Sequence, residues 1–98
     1  MTFTDKTIFV SDHAAKRFIE RANISPLTSI GTAKRKVTTS LKRSEYIASK
    51  RIMGLGIKKG ATYAFDPIRN LLYALESISW GTTFRVITCL TKEEFEIL

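Results

Sequence analysis

The sequence predicts an α+β domain: two N-terminal helices packed on one face of a four-stranded antiparallel meander, closed by a short C-terminal helix or tail. Three observations predict it. Residues 12–22 and 25–41 carry apolar side chains at three-four spacing, the period of a helix face. From Tyr46 onward the pattern changes to short runs rich in β-branched and aromatic residues. Clusters of Gly, Pro, Asp and Asn separate those runs, and short connections favour pairing of sequential strands. With 98 residues the chain has material for one core, so 1–98 is read as a single domain.

The elements follow in order. Residues 6–10 hold Ile8, Phe9 and Val10, a short strand or an arm that packs Phe3 and Phe9 on the core. The first helix is expected over residues 12–22. Ser11 suits its N-cap, and Asp12 suits the positive end of the helix dipole. Asn23 tolerates the left-handed conformation that ends helices. Ser25 and Pro26 read as the cap and first residue of a second helix. Leu27, Ile30, Ala33 (or Lys34), Val37 and Leu41 would form its buried face. Gly31 weakens that helix unless it permits close packing against the first.

Strands are expected over residues 46–53, 61–65, 71–77 and 83–91. The third is apolar on both faces, which places it centrally. Residues 54–60, 66–70 and 79–82 read as connections. The segment 92–98 is a short helix or a docked tail. On the last strand strict alternation puts Arg85, Ile87, Cys89 and Thr91 on one face and Phe84, Val86, Thr88 and Leu90 on the other. Arg85 and Thr88 could then share a site only if a bulge intervened. The sheet face away from the helices is expected to be open to a ligand.

Charge narrows the function classes. The net charge is +7, which favours a polyanionic partner. Nine cations lie between positions 34 and 59: Lys34, Arg35, Lys36, Lys42, Arg43, Lys50, Arg51, Lys58 and Lys59, against one acid, Glu45. This one-sided segment is the expected nucleic-acid-binding surface, for RNA first and DNA second. No apolar stretch is long enough to span a membrane, and the N-terminus lacks the layout of a signal peptide. A cytoplasmic protein is expected. Cys89 is the sole cysteine, read as a small buried hydrophobe in a core strand. Carboxylates are scattered, so neither a metal centre nor a cofactor is expected. The run Gly54-Leu55-Gly56-Ile57-Lys58-Lys59-Gly60 fails the phosphate-loop spacing and reads as a hairpin tip carrying two lysines. Tyr73 and Trp80 are candidates for stacking on bases.

One helix carries candidate chemistry. His13, Arg17 and Arg21 recur every four residues and share a stripe beside the apolar Ala14, Phe18, Ile19 and Ala22. An imidazole among guanidinium groups is what phosphodiester cleavage can use, one group moving a proton and the others holding charge on phosphate. A polar ladder of this spacing is also what any solvated helix face shows.

The segment from His13 to Arg21 with Ile24, HAxxRFxERxxI, resembles the opening helix of a family of small bacterial and phage proteins of unassigned function. That family is grouped with RelE-like and colicin-type (barnase–EndoU–colicin–RelE) ribonuclease toxins. The resemblance covers about a dozen residues. It departs from the pattern at Asn23, where relatives usually carry Gly before the Ile. It implies a RelE-like α-α-β-β-β-β domain and metal-independent RNA cleavage. His13, Arg17, Arg21 and Thr88 are the catalytic candidates on that reading, joined by Arg85, which could meet a phosphate on the open sheet face. The rival reading is a non-catalytic phage or mobile-element module that binds nucleic acid or inhibits a host protein. An antitoxin, a host protein or a second copy of the chain are further candidate partners.

Overall fold

A computed structural model describes residues 3–47, 62–79 and 82–96. The elements run β1 (Thr7–Val10), α1 (Asp12–Arg21), α2 (Ile30–Lys42), β2 (Glu45–Ile47), β3 (Thr62–Asp66), β4 (Leu71–Ser79), β5 (Thr83–Thr91) and α3 (Lys92–Glu96). The α+β class holds. Among the described residues, however, the sheet has five strands in the order β1-β5-β4-β3-β2 and is mixed, because β1 lies parallel to β5. The expected four-stranded antiparallel sheet is corrected accordingly. The physical reason lies in β5: its edge away from β4 needs a partner, and the β-branched run at the N-terminus supplies one. The backbone N–H of Thr7 donates to the Thr82 carbonyl and that of Ser11 to the Val86 carbonyl, so the N-terminal segment is held along the first half of β5.

The first helix begins and ends as read. Ser11 accepts the Ala14 N–H through its side chain, Asp12 sits in the first turn, and Asn23 adopts φ 57° just past the helix. The second helix starts later than read. Its N-cap is Ser29, which accepts the Thr32 N–H at 3.1 Å. Ser25 instead closes a local turn, taking the Leu27 N–H on its side chain and the Thr28 N–H on its carbonyl. Leu27 is therefore 92 % exposed and not part of the core. A Cβ added at Gly31 would meet nothing within 4 Å, so no close helix approach requires this glycine.

The main core lies between the two helices and the sheet. Phe18, Val37 and Leu41 pack with Tyr73, Leu75 and Val86, and the Phe3 ring meets Phe84 edge-on at 5.4 Å. β4 is central, as its apolar pattern implied. The expected alternation of β5 fails past Val86. Thr88 pairs with Ala74 while Val86 pairs with Leu75, which leaves Ile87 as a bulge. The bulge turns Cys89 to the helical side with Phe84 and Val86, and it places Thr88 on the same face as Arg85. Two-residue periodicity cannot show an inserted residue, so the sequence pattern concealed the change of face.

The second sheet face is only partly open. Tyr63, Leu72 and Ala74 form a smaller apolar cluster under Phe95 of α3, whose ring lies 5.2 Å from that of Tyr63. The tail is docked by a reciprocal cap: Glu94 N–H donates to the Thr91 hydroxyl, and Thr91 N–H donates to the Glu94 carboxylate. The outer parts of the predicted strand 46–53, the loop 54–60 and the turn at Trp80 lie outside the described residues.

One stability prediction follows from Gly31. It is exposed, helical and open to a methyl group. Gly31→Ala is expected to raise unfolding free energy by about 0.5–1 kcal/mol, read as a higher urea midpoint at unchanged slope.

Candidate nucleic-acid interface

Helix α2 turns Ala33, Val37, Ser40 and Leu41 inward. The same helical period turns Thr32, Arg35, Lys36 and Thr39 outward, and Arg43 caps the C-terminus. These five residues, with Arg69 from the turn at 67–70, line an open cleft of about 360 Å³. Four of the six lining side chains are cationic. Among the described residues Arg35, Lys36 and Arg69 form no ion pair. Arg35 is steadied by donating to the Thr32 hydroxyl at 3.2 Å. The Arg69 guanidinium lies over the Phe18 ring, 5.1 Å from its centroid.

Arg43 is held from behind. The Asp66 carboxylate is fully buried and accepts from Arg43 Nε and Nη2, the latter at 2.8 Å. It also accepts from the Ser40 hydroxyl, which in turn accepts from the Tyr73 hydroxyl at 2.6 Å. The backbone N–H groups of Ile68 and Arg69 donate to its other oxygen. Burial alone would raise the Asp66 pKa. The donors from Arg43, Ser40 and the turn outweigh it and hold the carboxyl below its ordinary value. Burial pushes the Tyr73 hydroxyl up, so it stays protonated as a donor. Asp66 neutralises one charge on Arg43, which holds that side chain at the lining of the cleft.

The sequence-predicted site residues divide into groups. Arg35, Lys36 and Arg43 meet in the cleft. Lys42 is exposed on the same helix. Lys34 pairs with Asp12 at 2.6 Å and joins α2 to α1. Lys50, Arg51, Lys58 and Lys59 lie outside the described residues. Tyr73 is fully buried, so it does not offer a face to a base. Cys89 is buried too, and burial pushes its thiol up to about 12, away from nucleophile chemistry.

The catalytic candidates do not form one constellation. His13 is exposed at the start of α1, and its side chain makes no hydrogen bond to another described residue. Arg17 pairs with Glu20 at 3.0 Å. Arg21 binds Glu20 and spans the Glu94 carboxylate with Nε at 2.5 Å and Nη2 at 2.7 Å. The Arg21 hydrogen bonds, with the Thr91 N–H, hold Glu94 down to about 2 despite partial burial. Arg85 pairs with Glu76 at 2.9 Å. The bulge places Arg85 and Thr88 together on the sheet face opposite Phe18. Each arginine of the set thus already has a carboxylate partner.

Sequence reasoning missed Arg69, Thr32 and Thr39. The signal for Arg69 was the turn Asp66-Pro67-Ile68-Arg69-Asn70, whose leading Asp organises the two following N–H groups. Compared with known proteins, the chain matches no protein-family model, no curated protein and no solved structure. No helix among the described residues is long and apolar enough to cross a membrane.

The Asp66 network carries a pH signature. Its folded pKa is depressed, so its stabilisation is complete above the unfolded carboxyl value near about 4 and is lost as pH falls through the folded value. Asp66→Asn is expected to cost about 1.5–3 kcal/mol at pH 7. It should also flatten the acid limb of a stability-versus-pH curve measured by urea unfolding. An unchanged acid limb would show that Asp66 is not held ionised.

Proposed function

We propose that the protein binds RNA through the cleft formed by α2 and the 67–70 turn. The observation that carries this reading is the meeting of Arg35, Lys36, Arg43 and Arg69 from two elements around one opening. Guanidinium groups suit phosphate because their N–H forks match two oxygens at once. A surface of this kind takes its affinity from counterion release, so binding weakens steeply with salt. DNA presents the same phosphates and is the second ligand on this reading. The net charge of +7 supports either polyanion.

The test is fluorescence anisotropy with a labelled 12-nucleotide single-stranded RNA over a series of salt concentrations. Arg35→Ala combined with Arg69→Ala is expected to weaken binding about tenfold or more at 0.1 M salt. It should also reduce the log–log salt slope by about 1.4, two phosphates at about 0.7 each on a single strand. Wild-type affinity and slope in the double variant would refute the assignment.

A second reading is a metal-independent endoribonuclease of toxin type, RelE-like as the α1 resemblance implies. The exposed imidazole of His13 on a helix rich in arginine favours it. In that reaction His13 takes the ribose 2′-hydroxyl proton, the 2′-oxygen attacks the adjacent phosphorus, and the P–O5′ bond breaks with the 5′-oxygen taking a proton from water, leaving a 2′,3′-cyclic phosphate and a 5′-hydroxyl. Arg17, Arg21 and Arg85 would hold the phosphate charge and Thr88 would orient an oxygen. The three arginines would first have to exchange their carboxylate partners for the substrate. Incubating wild type and His13→Ala with mixed RNA in EDTA separates the readings. Fragments from wild type alone support cleavage; intact RNA with a salt-sensitive shift supports the non-catalytic module.

A further inference from the structure

Another opening on this surface lies between β1 and α2. It measures about 540 Å³ and is lined by Ile8, Phe9 and Val10 on one wall and by Lys34, Arg35, Thr38 and Thr39 on the other. Three consecutive strand residues cannot all point their side chains into one opening, because alternate side chains go to opposite faces. The opening therefore meets the edge of β1. That edge has no strand beside it among the described residues, since β1 ends the sheet and pairs only with β5. The direction of its backbone groups follows from the ladder. Thr7 and Ser11 donate their N–H groups toward β5, so the intervening Ile8 and Val10 direct theirs outward.

We propose that this groove binds an extended acidic peptide segment of a partner protein, added to the sheet as a strand beside β1. The backbone of such a segment would pair with the outward N–H and C=O groups of Ile8 and Val10. Its alternate side chains would fall on the two sheet faces. Those on the helical side meet Arg35, which has no ion pair among the described residues and calls for Asp or Glu, beside Lys34, which is paired with Asp12. Those on the other side lie beside Phe9, which is 56 % exposed and calls for an apolar residue. The fit is thus to a short run of alternating carboxylate and apolar residues. Edge strands are usually blunted by charge on the strand itself. Here Thr7, Ile8, Phe9 and Val10 carry none, and the charge stands on the facing helix instead.

Arg35 and Thr39 line both this groove and the basic cleft. An acidic segment in the groove would engage a cation that the cleft offers to phosphate. The two ligands should therefore weaken each other, by the same factor in either direction. The groove assignment itself stands on the strand edge and does not need the RNA reading.

The test uses the full chain labelled with ¹⁵N and the peptide acetyl-Glu-Val-Glu-Val-Glu-Val-amide. The expected result is slowed exchange with solvent at the Ile8 and Val10 amides on peptide addition. Binding should fall at least tenfold for Arg35→Glu, for a Lys-for-Glu peptide, and for a peptide N-methylated at alternate residues. The exposed position of Arg35 makes the fold of that variant safe, and a circular dichroism melt checks it. Absence of peptide binding would overturn the proposal. So would binding that leaves the Ile8 and Val10 amides exchanging as before, or protection of those amides by single-stranded RNA in place of the peptide.

Discussion

A single buried carboxylate ties the helical layer to the sheet. Asp66 ends β3, is fully buried, and accepts from Ser40 and Arg43 of the α2 segment and from two N–H groups of its own turn. A charge in that position is tolerable only when every lone pair has a donor. The donors come from two places, the α2 segment and the turn, and Ser40 is in turn held by the Tyr73 hydroxyl, so satisfying Asp66 fixes α2, the turn and the central strand β4 relative to one another. The basic cleft is a consequence. Arg43 stands at its rim because Asp66 holds it there, and Arg69 stands opposite because Asp66 closes the turn that carries it.

Electrostatics are distributed unevenly around this frame. Each arginine of the catalytic reading is matched by an acid: on α1, Arg17 by Glu20 and Arg21 by Glu20 and Glu94; on the far sheet face, Arg85 by Glu76. Exposed pairs of this kind add little stability, but they lower the field available to a ligand. On the α2 side Arg35, Lys36 and Arg69 stand near the surface without such partners among the described residues. Among the described residues the cations left without a carboxylate partner are thus gathered along α2 and its facing turn, which is why the proposed polyanion site is placed there.

Much of this was legible in the residues. Ser11 and Asn23 announced both ends of α1, because capping is a local interaction. The span of β5 and the central place of β4 followed from their β-branched and doubly apolar patterns. Three features were not legible because they depend on distant partners. The first is the parallel pairing of β1 with β5, a contact across most of the chain. The second is the bulge at Ile87, set by how β5 meets β4. The third is the site: Arg43 read as one of nine equivalent cations, and nothing local marked it as the partner of Asp66. The choice of Ser29 over Ser25 as the α2 cap lies between these cases, since both serines are adequate caps and only packing decides.

The most direct test of the central claim is a titration of ¹⁵N-labelled protein with a short single-stranded RNA, followed amide by amide. Shifts concentrated at Thr32, Arg35, Lys36, Thr39 and Arg69 are the predicted result, growing at low salt and fading at high salt. Shifts gathered instead around His13, Arg85 and Thr88, or none along α2, would contradict a functional surface built on Asp66 and Arg43.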